Sequence, residues 1–165
     1  MTLMKHYKNQ VLQISKGFSL IELIVIMTLL GILAALASTR IKDISVNVRV
    51  SAATNQITSD IELIKETALA KHENMSITYN QEQNNYTIRK NGSIMTEYPG
   101  SDSGIINLSE GMFSGVDITQ VNINGSNVIN FDKWGNVLNN GTITLNQNHI
   151  ISVNKLTGFT EISIQ

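Results

Sequence analysis

A single acidic residue, Glu22, lies inside a long apolar run, and its position requires a chemical explanation. From Phe18 to Ala37 nearly every residue is apolar, and Glu22 carries the only charge. A helix of about 20 residues is roughly 30 Å long, which matches the hydrocarbon core of a bilayer. Because a carboxylate inside such a helix costs roughly 2.5–3.5 kcal/mol on insertion scales, a partner must compensate it.

An amino group can be that partner if the chain is cut after Gly17. Phe18 would then become the N-terminus, and its α-amino charge would lie one helical turn from Glu22. When subunits stack with their helices side by side, the amine of one chain can meet Glu22 of its neighbour. Each buried charge is then compensated only in the assembly.

The segment Lys16–Glu22 resembles the class III signal of type IV prepilins and type II secretion pseudopilins. A basic leader, Gly17, Phe18 and a glutamate at the fifth position of the mature chain all match. The resemblance implies that a prepilin peptidase cuts between Gly17 and Phe18 and methylates the amine of Phe18. It also implies that Glu22 is the glutamate used in assembly.

The same resemblance implies partners and a location. The partners are other pilin or pseudopilin subunits, the prepilin peptidase and the inner-membrane assembly platform. The leader carries three lysines and no acid, so the positive-inside rule keeps it cytoplasmic. We therefore expect a single-pass inner-membrane protein with a periplasmic C-terminal domain, incorporated into a pilus or pseudopilus.

Two simpler interpretations of the N-terminal segment remain open. A secretory signal peptide would use the lysines as its charged region and Ala35-Leu36-Ala37 as an A-x-A cleavage site. Its apolar region usually has about 7–15 residues and holds no charge, unlike the run seen here. A plain single-span membrane anchor is the other interpretation, but it does not explain the acidic residue Glu22.

Composition and charge exclude several classes of function. The chain of 165 residues has no cysteine, which excludes disulfides and thiolate metal or redox sites. After Asn74, four basic residues stand against seven acidic ones, the opposite of the balance in nucleic-acid binders. No catalytic constellation is evident, so we expect no enzyme, no metal and no cofactor.

The hydrophobic pattern divides the chain into four segments. We expect a cleaved leader over residues 1–17, a transmembrane and assembly helix over 18–39, its amphipathic continuation over 40–74, and a β-rich domain over 75–165. The continuation has Ile57, Ile61, Ile64 and Ala68 at helical spacing. The polar face is predicted to hold Asp60, Glu62, Lys65, Glu66 and Lys71, and Asn74 is predicted as the C-cap.

From Met75 onward, short alternating or β-branched segments are separated by turn residues, which predicts strands. Three Asn-Gly pairs, Asn91-Gly92, Asn124-Gly125 and Asn140-Gly141, predict antiparallel hairpins. The segment 99–115, rich in Gly and Ser, is predicted to be a loop.

The fold class is therefore α+β and pilin-like, with a long N-terminal helix. An antiparallel β-sandwich packs on its second half, through the stripe that begins at Ile57 and through six strand residues. These six are Ile129, Phe131, Ile143, Leu145, Ile151 and Val153.

The C-terminal half resembles the GspH/FimT branch of minor pseudopilins and minor pilins. The matching pattern runs through Val128–Asn136, Gly141–Leu145, Ile151–Val153 and Thr157–Phe159. We therefore predict a minor pilin or pseudopilin, a structural subunit of a type IV pilus or type II secretion pseudopilus. The alternative is a DNA- or substrate-binding minor pilin of an uptake pilus. The segment Thr157–Glu161 has no arginine, which argues against DNA.

Four further residues could belong to a site, but each has a simpler structural interpretation. His72 and His149 are far apart in sequence, and each is predicted to be a helix-end or surface histidine rather than a base. Asp132 and Asn136 supply too few oxygens for calcium, which takes six to eight. A turn is the better interpretation of that pair.

Overall fold

The computed structural model describes residues 17–101 and 103–164, and for residues 37–44 it describes the backbone but not the side chains. The predicted leader therefore lies outside the described residues except for Gly17. The chain divides into two units, Met1–Arg40 and Ile41–Gln165. In the described part of the first unit, helix is the only regular structure, whereas the strands belong to the second.

The helix α1 runs over Leu20–Lys71, close to the predicted bounds. At its start, the amide of Leu23 donates to the carbonyl of Ser19 at 3.1 Å. At its end, His72 adopts a positive φ of 54°, and the amide of Glu73 donates to the carbonyl of Ala68 at 3.2 Å. This is the Schellman arrangement. It ends the helix before Asn74, so the C-cap predicted there was wrong.

Two antiparallel sheets follow α1 in the second unit. In the described residues the strands are β1 (Met75–Asn80), β2 (Asn85–Lys90), β3 (Ser93–Ile94), β4 (Ile105–Asn107), β5 (Ile118–Ile123), β6 (Val128–Phe131), β7 (Gly141–Leu145), β8 (His149–Val153) and β9 (Thr160–Ile164). The first sheet has the order β3-β2-β1-β6, with β4 also paired to β2. The second has the order β5-β7-β8-β9.

Both sheets bury one face in a core that they share with the helix. The helical stripe Ile57, Ile61, Ile64 and Ala68 is fully buried, as predicted. Alternate strand residues face it, because side chains along a strand point to opposite sides. Ile77, for example, lies between Ile88 and Ile129 in the first sheet. All six strand residues predicted for the core are buried, which confirms the α+β fold class.

The three Asn-Gly pairs have three different outcomes. Asn91-Gly92 forms the predicted hairpin between β2 and β3, with both residues at positive φ. Asn124-Gly125 also forms a tight turn, but the chain then passes from the second sheet to the first. Asn140-Gly141 forms no such turn, since β7 begins at Gly141. A Cβ on Gly141 would lie 2.7 Å from the Cα of Ile123, so packing explains this glycine.

The segment 99–115 was predicted to be a loop, and this was wrong in part. It contains β4 and a 3₁₀ turn over Gly111–Phe113, and Leu108 just after β4 is fully buried. Gly104 has a positive φ of 71°, and its carbonyl accepts the amide of Ile88 at 3.0 Å. Part of the segment, β4, therefore pairs with β2 as an additional edge strand. At three residues, β4 is too short to show alternation in the sequence.

Candidate assembly site

The residues of the predicted cleavage site come directly before α1. Gly17 and Phe18 are not helical, and Leu20 is the first helical residue. Gly17 is exposed, and Phe18 is 76% exposed. Both residues of the predicted cleavage site are therefore exposed in the described part of the chain.

Glu22 lies in the first turn of α1 and is exposed. Among the described residues, no group forms a hydrogen bond or an ion pair with its carboxylate. The partial positive charge at a helix N-terminus favours an acidic side chain there, typically by about 0.3–1 kcal/mol. A full positive charge that approached this turn from outside the chain would find an available acceptor.

The helical residues around Glu22 expose apolar side chains on every face. Between Gly17 and Leu36 each described residue is exposed. The large apolar side chains include Leu20, Ile21, Leu23, Ile24, Val25, Ile26, Met27, Leu29, Leu30, Ile32 and Leu33. A helix that is apolar all round requires an apolar environment, either other helices or lipid. Across the described residues, no helix reaches both the length and the apolar character needed to cross a membrane.

The second unit holds a buried acidic residue that sequence reasoning placed on the wrong face. Asp60 was predicted to face solvent, but it is only 3% exposed. Its Oδ1 accepts hydrogen bonds from Gln56 Nε2 at 2.9 Å and from the Tyr98 hydroxyl at 2.7 Å. Its Oδ2 accepts the Tyr86 hydroxyl. The spacing was the missed signal, because Asp60 follows Ile57 by three residues and precedes Ile64 by four.

The three phenols near Asp60 remain protonated, and two of them, Tyr86 and Tyr98, donate to its carboxylate. Burial first, and then the charge of Asp60, raises the pKa of Tyr79 and of Tyr86 above that of an ordinary phenol. Burial and the hydrogen bond to Asp60 likewise raise the pKa of Tyr98. This network connects α1 to β2 and to the segment that carries Tyr98. Asp60, Tyr86 and Tyr98 are buried, and Asp60 accepts both hydroxyls, so the network stabilises the fold. The buried hydroxyl of Tyr79 has no hydrogen-bond partner among the described residues.

Three of the four other candidates have the structural roles predicted for them. His72 is the helix-end residue, and its ring lies 5.4 Å from that of Trp134, edge to face. Asp132 forms a turn, in which its carboxylate accepts the amides of Trp134 and Asn136 and the side chain of Asn136. Although partial burial acts in the opposite direction, these hydrogen bonds lower the pKa of Asp132.

His149 is different, since it was predicted to be a helix-end or surface residue and is only 7% exposed. It belongs to the inward-facing set of β8, with Ile151 and Val153. Because His149 is the first residue of a short strand, the alternation of buried and exposed residues along β8 could not be recognised there from sequence. Within the described residues its Nδ1 has no hydrogen-bond partner.

Where side chains of the second unit are described, the three basic residues Arg89, Lys90 and Lys155 form no evident cluster for nucleic acid. The ammonium of Lys90 lies 3.3 Å from the carboxylate of Glu73. Arg89 donates to the carbonyl of Gly92 at 3.1 Å. Both charges lie on β2, whereas Lys155 follows β8 in the other sheet.

Comparisons with known proteins agree with both halves of the sequence. The profile of the prokaryotic N-terminal methylation motif matches residues 13–38. The profile of type II transport protein GspH matches residues 53–157. A comparison with curated protein sequences gives no match.

One solved structure that resembles this chain is the minor pseudopilin EpsH from the type 2 secretion system of Vibrio cholerae. The TM-score is 0.55 at 8% sequence identity, and the match covers 70% of this chain and 96% of that one. At this identity the likeness concerns the fold.

Proposed function

Because this chain belongs to the GspH family of type II transport proteins, we propose that it is a minor pseudopilin, a structural subunit that assembles through its N-terminal helix. The observation that carries the proposal is the helical surface around Glu22. It is apolar on every described face, and it holds one acid without a partner among the described residues. Such a surface is stable only when other apolar groups cover it and a cation approaches the acid.

The proposed maturation step follows from the methylation motif at residues 13–38. Prepilin peptidase hydrolyses the peptide bond between Gly17 and Phe18. The new amine of Phe18, after loss of a proton, takes a methyl group from a sulfonium methyl donor, which leaves as a neutral thioether. The methylated amine keeps its positive charge. In the filament, this amine of one subunit pairs with the carboxylate of Glu22 of a neighbouring subunit.

Before assembly, the segment 18–39 anchors the subunit in the inner membrane. The leader lysines keep the N-terminus cytoplasmic, so the second unit lies on the periplasmic side. The assembly platform then transfers the helix from lipid to a bundle of similar helices. The apolar surface serves in both environments, because lipid tails and leucine side chains are equally apolar.

Mass spectrometry of the mature chain tests this proposal. The intact protein, extracted from membranes, should begin at Phe18 and carry one methyl group on its amine. Replacement of Gly17 by a bulky residue, in a Gly17→Trp variant, should leave the full leader attached, because the peptidase could no longer bind the site. A mature N-terminus at Ser38 would instead show a secretory signal peptide and contradict the proposal.

A further inference from the structure

An open groove of about 700 Å³ lies at one end of the second sheet. It is lined mainly by outward-facing residues of the sheet and by residues of the neighbouring turns. Most of the described residues that line it are Asn, Ser or Thr, and among them only Glu161 is charged. The groove therefore offers many hydrogen-bonding groups and almost no net charge.

Strand register places four polar side chains of the groove in one row. Asn122 pairs with Thr142, Thr142 with Ser152, and Ser152 with Glu161. Adjacent strands are about 4.7–4.9 Å apart, so the row is about 14 Å long. Its hydroxyls, amide and carboxylate all lie on the outer face, since Ile143 and Ile151 of the same strands are buried.

Three asparagines of the groove have their side-chain amides fixed by the backbone. In each, the side-chain oxygen accepts a backbone N–H. These pairs are Asn122 with Gly125 at 3.0 Å, Asn140 with Lys155 at 2.7 Å, and Asn154 with Leu156 at 2.8 Å. The amide group is planar, so fixing the oxygen also fixes the NH₂ donor. Donors held in place lose little entropy when they bind a ligand.

An aromatic ring forms one wall of the groove. Phe159 is 67% exposed, although it is a large apolar residue. The ammonium of Lys65 lies 5.2 Å from the ring centroid and donates to the carbonyl of Gly158 at 3.1 Å. Lys65 also pairs with Glu62 at 3.2 Å. These contacts hold the ring at the edge of the groove and leave most of it accessible.

We propose that this groove binds a neutral oligosaccharide chain, an activity that goes beyond the structural role in the filament. Sugar hydroxyls both donate and accept, which suits a row of amide, hydroxyl and carboxylate groups. The apolar C–H face of a sugar ring can pack on Phe159. An anionic polymer fits poorly, because none of the described residues that line the groove is a lysine or an arginine, and Glu161 would repel it.

The test uses the mature full chain in phosphocholine detergent, since a maltoside detergent would itself offer a sugar. Cello-, malto- and chitohexaose are titrated while ¹⁵N–¹H spectra record the side-chain amides. At least one of these sugars should give saturable shifts at Asn122, Asn140 and Asn154. An oligonucleotide and a polar peptide of similar length serve as competing ligand classes.

Three variants locate the binding, and a fourth is their matched control. Thr142→Val and Ser152→Ala each remove one hydroxyl of the row and should weaken binding about fivefold. Phe159→Ala should weaken it at least as much. Thr144→Val makes the same change two residues along β7 on the same outer face, beyond the groove lining, and should alter affinity less than twofold.

Three results would overturn the proposal. One is no saturable binding of any of the three sugars. Another is tighter binding of the oligonucleotide or the peptide than of every sugar. The third is an equal loss of affinity in Thr144→Val and Thr142→Val, provided that the spectra of both variants show a folded chain.

Discussion

Asp60 is an acidic residue in a buried environment, where carboxylates are rarely found. A carboxylate in the interior is costly unless donors surround it. Gln56, Tyr86 and Tyr98 supply these donors from the helix, from β2 and from the segment after β3. The network therefore specifies how three separate parts of the chain meet.

Removal of this carboxylate should be far more harmful than removal of an exposed one. Asp60→Ala leaves the hydroxyls of Tyr86 and Tyr98 buried without their acceptor, which should lower the free energy of unfolding by about 3 kcal/mol or more. Glu66→Ala, on the exposed side of the same helix, should change it by less than about 0.5 kcal/mol. Urea unfolding of the fragment Ile41–Gln165 measures both. Equal losses would show that the network does not stabilise the fold.

At the scale of the element, the buried stripe of α1 forms the helical part of the core. Ile57, Ile61 and Ile64 are fully buried against both sheets. The same cluster contains alternate residues of β1, β2, β6, β7 and β8, the two ends of β5, and connecting residues such as Leu108 and Val116. Helices of this kind owe most of their stability to such packing rather than to intrinsic propensity.

Truncation of one residue in this stripe should show its contribution. Ile61→Ala should lower the free energy of unfolding by about 2–5 kcal/mol, because it leaves a cavity in a packed core. Leu69→Ala on the same helix removes a side chain that is 51% exposed, and it should cost less than about 1.5 kcal/mol. A loss below 0.5 kcal/mol for Ile61→Ala would place that face in solvent.

Local patterns predicted some elements well because the cause of those elements is local. The hairpin at Asn91-Gly92 depends on two residues that accept positive φ. Gly141 could not be understood in this way, since the reason for it is the backbone at Ile123 in a neighbouring strand. Asp60 was misplaced because its charge was given more weight than its spacing.

At the scale of the whole molecule, the two units differ in how much of their apolar helix surface is exposed to solvent. The second unit buries its apolar stripe under two sheets, whereas the first leaves its apolar helix surface exposed. In the first unit, the methylation motif could be recognised from sequence because it occupies one continuous segment, residues 13–38, and the roles of Gly17, Phe18 and Glu22 within it stay predictions. The groove could not, because its row joins four strands whose pairing depends on long-range contacts.

The central claim is that Glu22 joins subunits, and comparison of Glu22→Ala with the wild-type chain tests it most directly. The variant should be cleaved after Gly17, inserted into the membrane and folded like the wild type, since none of the described residues forms a hydrogen bond or an ion pair with the Glu22 carboxylate. Glu22→Gln keeps hydrogen bonding but loses the charge, so it should be intermediate or similarly weak.

The measurement is the recovery of each chain with sheared filaments, or with partner subunits in detergent, relative to its amount in the membrane. The account predicts a marked loss of Glu22→Ala from the assembled fraction, because the positive N-terminus of the neighbouring subunit has no acceptor. Equal recovery of the wild-type and Glu22→Ala chains would contradict it and remove Glu22 from the mechanism.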